Sequence, residues 1–599
     1  MLKSICRLCA LCFALLILAS YPLAAQRDTA TLEGRIVDVT GAVVANASVT
    51  ATNTSTNFSY HAKSDGEGAW TISPVRIGSY QITISAVGFK QTVTGPITLD
   101  VQQRQRVDAT LQLGEVTQQV VVNDIAPLLE TDSSETGQVI NSEAMVGFPL
   151  NGRNPVQLAQ LTVGVTVSEP GARDSGGFGF SASGSRSLDN NFLLDGVDNN
   201  SNLPDLLNEA NYVSMPPQDA LQEFKIETGN YDAEFGRATG AIVNATTKSG
   251  TNTFHGSAYE FLRNQMFDAM NYYDASLQPY HQNQFGATFG GKLIKDKLFF
   301  FVDYQALRIS EAVTNTATVP TTAQRGGDFS DQLDLTSPTL DPQNNNAQIL
   351  DCNGNKTYAG ELFNTRQTQV SSLNGSGYCG VPFGYVGGAP SNIVPQSSTD
   401  ALGLKLIQLF PTPTPNVSAI GYNFLSNPIT TETEQQGDVR VDQVISSHDT
   451  AFYRFSMSSD PKTIGSPYGG IADGGGFFDG IQQITAYSGV ASEAHVFSAH
   501  KVNEIRFGAN RLKTSRYQFN SNEDVAATVG FPGVPYVAGT DNGGLPQMTF
   551  TDGSNLGSAL FLPAIERQTT FMLSDTFTLI SGNDTWKFGG ETPGALFHL

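Results

Sequence analysis

Thr450-Ala451-Phe452-Tyr453-Arg454-Phe455-Ser456-Met457-Ser458 carries apolar side chains at Ala451, Tyr453, Phe455 and Met457, with Thr450, Arg454, Ser456 and Ser458 at most of the places between. Successive side chains of a strand point to opposite faces, so this stretch predicts a strand with one apolar and one polar face. The pattern returns downstream. Ile505, Phe507 and Ala509 alternate with Glu504, Arg506 and Asn510, and Phe571, Leu573, Phe577 and Leu579 alternate with Ser574, Thr576 and Thr578. Two architectures use such strands: a soluble sandwich, and an outer-membrane barrel with one face to lipid and the other to a watery lumen. From residue 251 onward about nine segments read as strands. They lie near 256–263, 283–293, 297–309, 436–445, 449–459, 484–498, 501–516, 567–581 and 584–589.

The start of the chain argues for export. Lys3 and Arg7 give a positive start before a run, Leu8 to Leu18, too short to span a bilayer, and Ala24-Ala25 precede Gln26. Residues 1–25 therefore read as a signal peptide, with the mature chain beginning near Gln26. Cys9 and Cys12 lack the preceding small residues of a lipoprotein cleavage site, and no later stretch has about 18 continuous apolar residues. Cys352 and Cys379 are the cysteines outside the signal. In an oxidising compartment an even pair in one loop-like segment reads as a disulfide, against the alternative of two separate thiols. The chain has 599 residues, room for about three or four domains. Its 59 glycines, 36 phenylalanines and 19 tyrosines suit β-architecture with many turns. A formal net charge of −22 excludes nucleic acid as a partner, because phosphate contacts require a basic face.

Residues 29–113 form a first unit of short apolar alternations between tight turns such as Asp38-Val39-Thr40-Gly41 and Asp65-Gly66-Glu67-Gly68. The spacing predicts a small β-sandwich. Gly34-Arg35-Ile36-Val37-Asp38, Gly41, Ala47, Val49, Asp65, Gly68, Trp70, Gly78-x-Tyr80-x-Ile82 and Gly88-Phe89 also resemble the carboxypeptidase regulatory-like domain, a transthyretin-like sandwich. Some relatives of that domain are grouped with carbohydrate-binding folds, an analogy of fold only.

Residues 114–250 begin with a β-rich connector, Glu115 to Val122, and continue through short helices near Ser142–Val146 and Pro155–Leu161. A dense motif set follows: Asn191-Phe192-Leu193-Leu194-Asp195-Gly196-Val197-Asp198, Ala220-Leu221-Gln222-Glu223-Phe224-Lys225, Tyr231-Asp232-Ala233-Glu234-Phe235-Gly236, and Gly240-Ala241-Ile242-Val243-Asn244-Ala245-Thr246-Thr247-Lys248-Ser249-Gly250. This set resembles the plug domain of TonB-dependent outer-membrane receptors, with Ala241 where that family's closing strand has a second glycine. Phe148-Pro149-Leu150-Asn151-Gly152-Arg153-Asn154 adds a resemblance to the large Oar-like receptors. The first segments after residue 251 resemble the start of an Oar-like barrel: His255 to Phe261, Asn283 to Gly286, Gly290 to Lys292 and Lys297 to Tyr304. Together with export, the resemblance favours the barrel over the soluble sandwich. The expected class is thus mainly β: a transthyretin-like β-sandwich, an α+β plug domain, then an incomplete antiparallel transmembrane β-barrel over 251–599. Residues 310–434, rich in Thr, Asn, Pro and Gly, are expected to be a long extracellular loop region.

The resemblance implies a location in the outer membrane of a Gram-negative-type bacterium, with the N-terminal domain in the periplasm. It implies that the plug blocks diffusion, that an extracellular ligand (siderophore, glycan or peptide) binds from outside, and that a TonB-type energy-coupling complex drives import. The implied contact for that complex is Glu115, Val116, Val120, Val121 and Val122, since an extended strand adds to a partner's sheet edge; an ordinary linker strand is the alternative. Asp195, Gly196, Glu223, Glu234, Gly236, Gly240, Asn244 and Lys248 read as structural residues of the plug, with glycines supplying turn geometry. Lys248 and Arg237 either pair with carboxylates inside the barrel or stay solvated.

Nothing in the sequence points to an enzyme. None of the seven histidines stands in a metalloprotease spacing, so no metal, cofactor or catalytic set is expected. Gly286-x-x-x-x-Gly291-Lys292 imitates a phosphate loop, but Leu293 stands where a Ser or Thr hydroxyl is needed. Gly177-Phe178-Gly179 followed by Ala182 lacks the strand and helix of a dinucleotide site. Two further function classes stay open: a surface binding or adhesion protein, and a non-functional truncated copy. Thr592 to Leu599 breaks the alternation, and the family's aromatic-ended last strand is missing. The expectation is therefore an open antiparallel sheet beside the plug, since about nine strands cannot close around it.

Overall fold

The computed structural model describes residues 29–114, 119–122, 135–167, 179–202, 210–270, 276–342, 344–367, 369–374, 377–415, 421–472, 479–498, 500–550, 555–581 and 584–598. Residues 1–25, read above as a signal peptide, lie outside the described residues, as do Glu115, Val116, Gly177 and Phe178. No helix among the described residues is long and apolar enough to cross a membrane.

The first unit is a two-layer sandwich. Thr29–Asp38 lies between Ala69–Arg76 and Arg104–Arg106 and also pairs with Ala109–Leu111. The facing sheet runs Ser59–Lys63, Ser48–Asn53, Gly78–Ser85, Gln91–Leu99 and Gln119–Val122. Tyr80, Ile82 and Ile84 alternate inward and meet Leu32, Ile36 and Trp70 in one core. Gly34 is dictated by close approach: a Cβ there would stand 2.0 Å from the Val107 carbonyl oxygen. Residues 29–122 are expected to unfold cooperatively when produced alone, and Gly34→Ala to destabilise them by about 1–3 kcal/mol through overpacking. Thermal melting of both proteins measures this; equal midpoints would refute it.

The plug is a five-stranded sheet ordered Thr136–Asn141, Leu221–Gly229, Ile242–Thr247, Asn191–Leu194, Val197–Asp198. Asn191–Leu194 runs parallel to Ile242–Thr247. Its apolar run is buried on both faces: Phe192 and Leu194 join the main core, and Leu193 packs with Phe235 and Ile242. An α-helix, Ser142–Gly147, is capped by the Asn141 side chain, and a 3₁₀ helix spans Pro155–Leu161.

Nine strands form one antiparallel meander: His255–Asn264, Tyr280–Ile294, Leu298–Ala312, Ile429–Val444, Asp449–Ile464, Gly480–Ser498, Lys501–Tyr517, Ala564–Ser581 and Asp584–His598. The phosphate-loop imitation at Gly286–Lys292 is simply part of the second of these. Tyr453, Phe455, Ile505, Phe507, Phe571 and Leu573 are exposed on one face, while Arg454, Ser456, Glu504, Arg506, Ser574 and Thr576 are buried on the other. The sheet is open: among the described residues its first and last strands do not pair with each other. The last strand corrects one expectation, because pairing continues through Thr592 to His598 despite the broken alternation. It is the terminal strand of the sheet, where Pro593 costs no ladder bond on the outer side.

The connections have a polarity. Those between strands at 295–297, 445–448, 499–500 and 582–583 are two to four residues long, whereas 265–279, 313–428, 465–479 and 518–563 at the other end are long. The long connections fold together. Val319, Phe410 and Phe424 share a core with Ala472 and with Val525, Val529, Leu545 and Leu556. Cys352 and Cys379 are joined by a disulfide, with Cα atoms 5.0 Å apart.

Candidate functional site between plug and barrel wall

Asp195-Gly196 closes a two-residue hairpin in which Leu194 pairs with Val197. Both turn residues have positive φ, 50° and 69°, the geometry that favours Asp-Gly. The turn drives Asp195 into the barrel wall, where it is fully buried. Its carboxylate accepts from the Thr247 amide at 2.9 Å and from Arg440 at 3.1 Å, and forms an ion pair with Arg454, whose Nε lies 2.8 Å away. Arg440 and Arg454 lie opposite each other on adjacent strands, so one plug carboxylate bridges two buried guanidinium groups of the wall. Arg440 also pairs with Asp442 at 3.1 Å, and Asp442 takes Arg76 of the sandwich at 3.1 Å. A line of alternating charges thus joins sandwich, wall and plug. Phe452, the apolar exception on the inner face, explains itself here: it packs on Val197 of the hairpin, with Arg440 4.5 Å from its ring centre.

The other plug residues singled out from the sequence are distributed around this seat. Glu223 accepts from the Val101 amide of the sandwich at 2.6 Å. Glu234 meets Lys587 of the last strand at 3.2 Å. Asn191 donates to the Gly236 carbonyl at 3.2 Å. A Cβ at Gly240 would stand 2.4 Å from Asn190 Oδ1, so any other residue would have to displace that side chain. Asn244 is buried mid-strand between Leu193 and Lys225. Lys248 donates to the Asp219 carbonyl at 2.8 Å, a backbone partner rather than a carboxylate. Arg237 pairs with Asp198 at 2.6 Å on a half-exposed edge. Arg153 is bound to Asp219 and stacks on the wall through Tyr259 and Phe261, 4.7 and 4.2 Å from the ring centres.

Lys225 forms a second contact between plug and sandwich. Its ammonium lies 2.8 Å from Glu135, 2.9 Å from Glu227 and 2.9 Å from Gln102 of the sandwich. Burial opposes that ammonium, but the Glu227 and Glu135 carboxylates outweigh it and raise its pKa. Burial, only partly offset by Lys225, pushes Glu227 up to about 7. Folded Glu227 therefore keeps a proton that the unfolded chain releases from about pH 4.5. Its contribution to stability is fully present below that pH and lost as pH rises through 7. Glu227→Gln is expected to flatten this part of the profile. Melting at about pH 5 and about pH 8 reads it; a variant as pH-dependent as the parent would refute it.

Two cavities flank the seat. One, of about 450 Å³, lies where sandwich, plug and wall meet and is bordered by Arg76, Lys248 and Arg440. The other, of about 650 Å³, lies between the plug and the half of the wall nearer the long loops, bordered by Arg153, Tyr212, Gln305 and Glu434. Away from both, strand pairing brings Asp449, Glu493 and His495 within 4.8 Å of one another, a grouping that no sequence spacing reveals.

Residues 246–594 match the family model described as an outer membrane beta barrel domain. The chain belongs to that family. This outer-membrane β-barrel protein also carries, at residues 31–112, a match to the carboxypeptidase regulatory-like domain. It is 28% identical over 336 residues to the TonB-dependent transporter Oar of Myxococcus xanthus, covering 53% of this chain and 30% of that relative. Among solved structures, the outer membrane transporter YddB from Escherichia coli is 10% identical, with TM-score 0.43, covering 77% of this chain and 48% of that one. The siderophore receptor PirA from Acinetobacter baumannii is 13% identical, with TM-score 0.43, covering 78% of this chain and 49% of that one. The barrel protein thus lies in the outer membrane, as the resemblance implied.

Proposed function

We propose that this barrel protein is an uptake receptor that takes an extracellular ligand across the outer membrane with energy from a TonB-type complex. The observation that carries the reading is the seat of the plug: a folded sheet held against the lumen wall by Asp195 between Arg440 and Arg454. Such a plug obstructs free diffusion, so passage requires work on it, and the Myxococcus relative is a TonB-dependent transporter. The sandwich then sits in the periplasm, on the side of the tight turns, and the long loops face outward.

The segment proposed for the complex to pull on is Glu115–Val122, with an ordinary linker strand as the alternative. Glu115 and Val116 lie outside the described residues. Val120, Val121 and Val122 pair in parallel with the sandwich strand Gln91–Leu99, which leaves one edge for an added strand. The partner therefore either augments the sandwich sheet or peels that strand away. Uptake by cells with and without the energising complex tests the reading: ligand should accumulate only with it, and equal accumulation would overturn it. A second reading, surface binding without import, is supported by the shared core of the long loops, which makes them one folded cap. Retention of surface-bound ligand with no energised uptake would favour it.

A further inference from the structure

We propose that Arg511, Lys513 and Arg567, on the lipid-facing side of the sheet, form a site for the phosphate groups of an anionic lipid in the outward leaflet; the choice of leaflet, though not the site, rests on the orientation of the receptor reading. The three positions keep the alternation of Phe507, Phe571 and Leu573 and so share their face. Lys513 lies opposite Arg567 on the adjacent strand, and Arg511 lies opposite Thr569, to whose hydroxyl it donates at 3.3 Å. Between them Leu512 and Thr514 point the other way and are fully buried. On the other side the cross-strand neighbours of Arg511 and Lys513 are Tyr487 and Thr485. Among the described residues no carboxylate pairs with Arg511, Lys513 or Arg567.

A cation on a lipid-facing strand is costly at the bilayer midplane and nearly free at the surface, so three side by side mark the boundary with the headgroups. The opposite rim of the same face differs in sign. There the outward carboxylates of Asp449, Glu493 and Asp575 outnumber the one ammonium of Lys501. Arg567 and Asp575 stand eight residues apart on one strand, about 20 Å of membrane height at a tilt near 45°, so the two rims lie close to the two surfaces. A face that collects unpaired cations at one boundary and carboxylates at the other is complementary to a lipid whose phosphates lie at the long connections. Arg511 and Arg567 offer planar forks that take phosphate oxygens in pairs, and Lys513 adds a point charge beside them. Phe507, Phe571 and Leu573 are exposed further down the same strands and give acyl chains an apolar bed.

The test is equilibrium binding to the purified full chain in an uncharged detergent. The probes are an acylated glucosamine disaccharide bearing two phosphates, the same lipid without phosphates, and inorganic phosphate. Each cation at such a surface is expected to contribute about fivefold, so the phosphorylated lipid should bind on the order of a hundredfold more tightly than the bare one. Inorganic phosphate at millimolar concentration should not displace it. The triple variant Arg511→Gln, Lys513→Gln, Arg567→Gln should lose the preference while keeping the parent's affinity for the bare lipid, with melting as a check that it folds. The single variant Lys513→Gln should lose about fivefold and decides the matter where the triple one does not fold. Lys63→Gln with Lys90→Gln and Lys295→Gln removes the same charge elsewhere and should change nothing. Equal binding of the two lipids, displacement by free phosphate, a preference intact in the site variants, or one lost equally in the control would overturn the proposal. The assay contains neither a transported ligand nor the energising complex, so its failure leaves the uptake reading standing, and failed uptake leaves this site standing.

Discussion

Asp195→Ala is expected to unseat the plug. The substitution leaves Arg440 and Arg454 facing each other in the wall with their shared counter-ion gone, and both side chains are buried. Removing one partner of a buried ion pair costs about 3–5 kcal/mol, because the remaining charge cannot regain its hydration. Here one carboxylate serves two cations and also accepts from Thr247, but Arg440 keeps its bonds to Asp442, so the lower part of that range applies. Asp195→Asn keeps the turn and the Thr247 bonds while removing the charge, and should lie between the parent and alanine. Hydrogen exchange over Asn191–Leu194 and Ile242–Thr247 reads the seat directly. Both strands should lose protection while the nine-stranded sheet keeps its own. Unchanged exchange in the alanine variant would show that the two guanidinium groups do not depend on this carboxylate.

Removal of the loop disulfide is the second large effect. Cys352 and Cys379 are separated by 27 residues, and closing a loop of that size stabilises the folded segment by roughly 3–4 kcal/mol in the chain-entropy account. The surrounding structure is short hairpins with little core of its own, so few other contacts compensate. Cys352→Ser with Cys379→Ser should open this part of the cap to protease while leaving the membrane strands resistant. Digestion of parent and variant, followed by mass analysis, decides it; equal resistance between residues 350 and 380 would contradict it.

The strands were legible because lipid and lumen impose opposite demands on alternate residues, and that signal survives in any single segment. Tyr453 and Arg454 announce their faces without reference to anything distant. Phe452 did not, because its burial depends on Val197, far away in the chain. The same distance hid the functional seat. Asp195-Gly196 was readable as a turn, but Arg440 is 245 positions away from Asp195, and nothing in either segment names the other. Charged residues at lumen positions were the available signal, yet they mark many places on the wall. The end of the chain misled for a different reason. Alternation reports which way side chains face, whereas Thr592 to His598 is held by backbone pairing to Ala564–Ser581. The connector was read as part of the plug unit, but Val120 to Val122 pair with the sandwich, a choice set by an available sheet edge rather than by composition.

The cap built from separate long connections has a kinetic consequence. Val319 and Phe424 come from one connection, Ala472 from another and Val525, Val529, Leu545 and Leu556 from a third, so their core cannot assemble until the strands between them have paired. Contacts of such sequence separation form late, because the intervening chain must first lose its freedom. A slip of one residue in any intervening strand would reverse its faces and displace the connection it carries. The core of the cap therefore closes last, and only over strands paired in the right register.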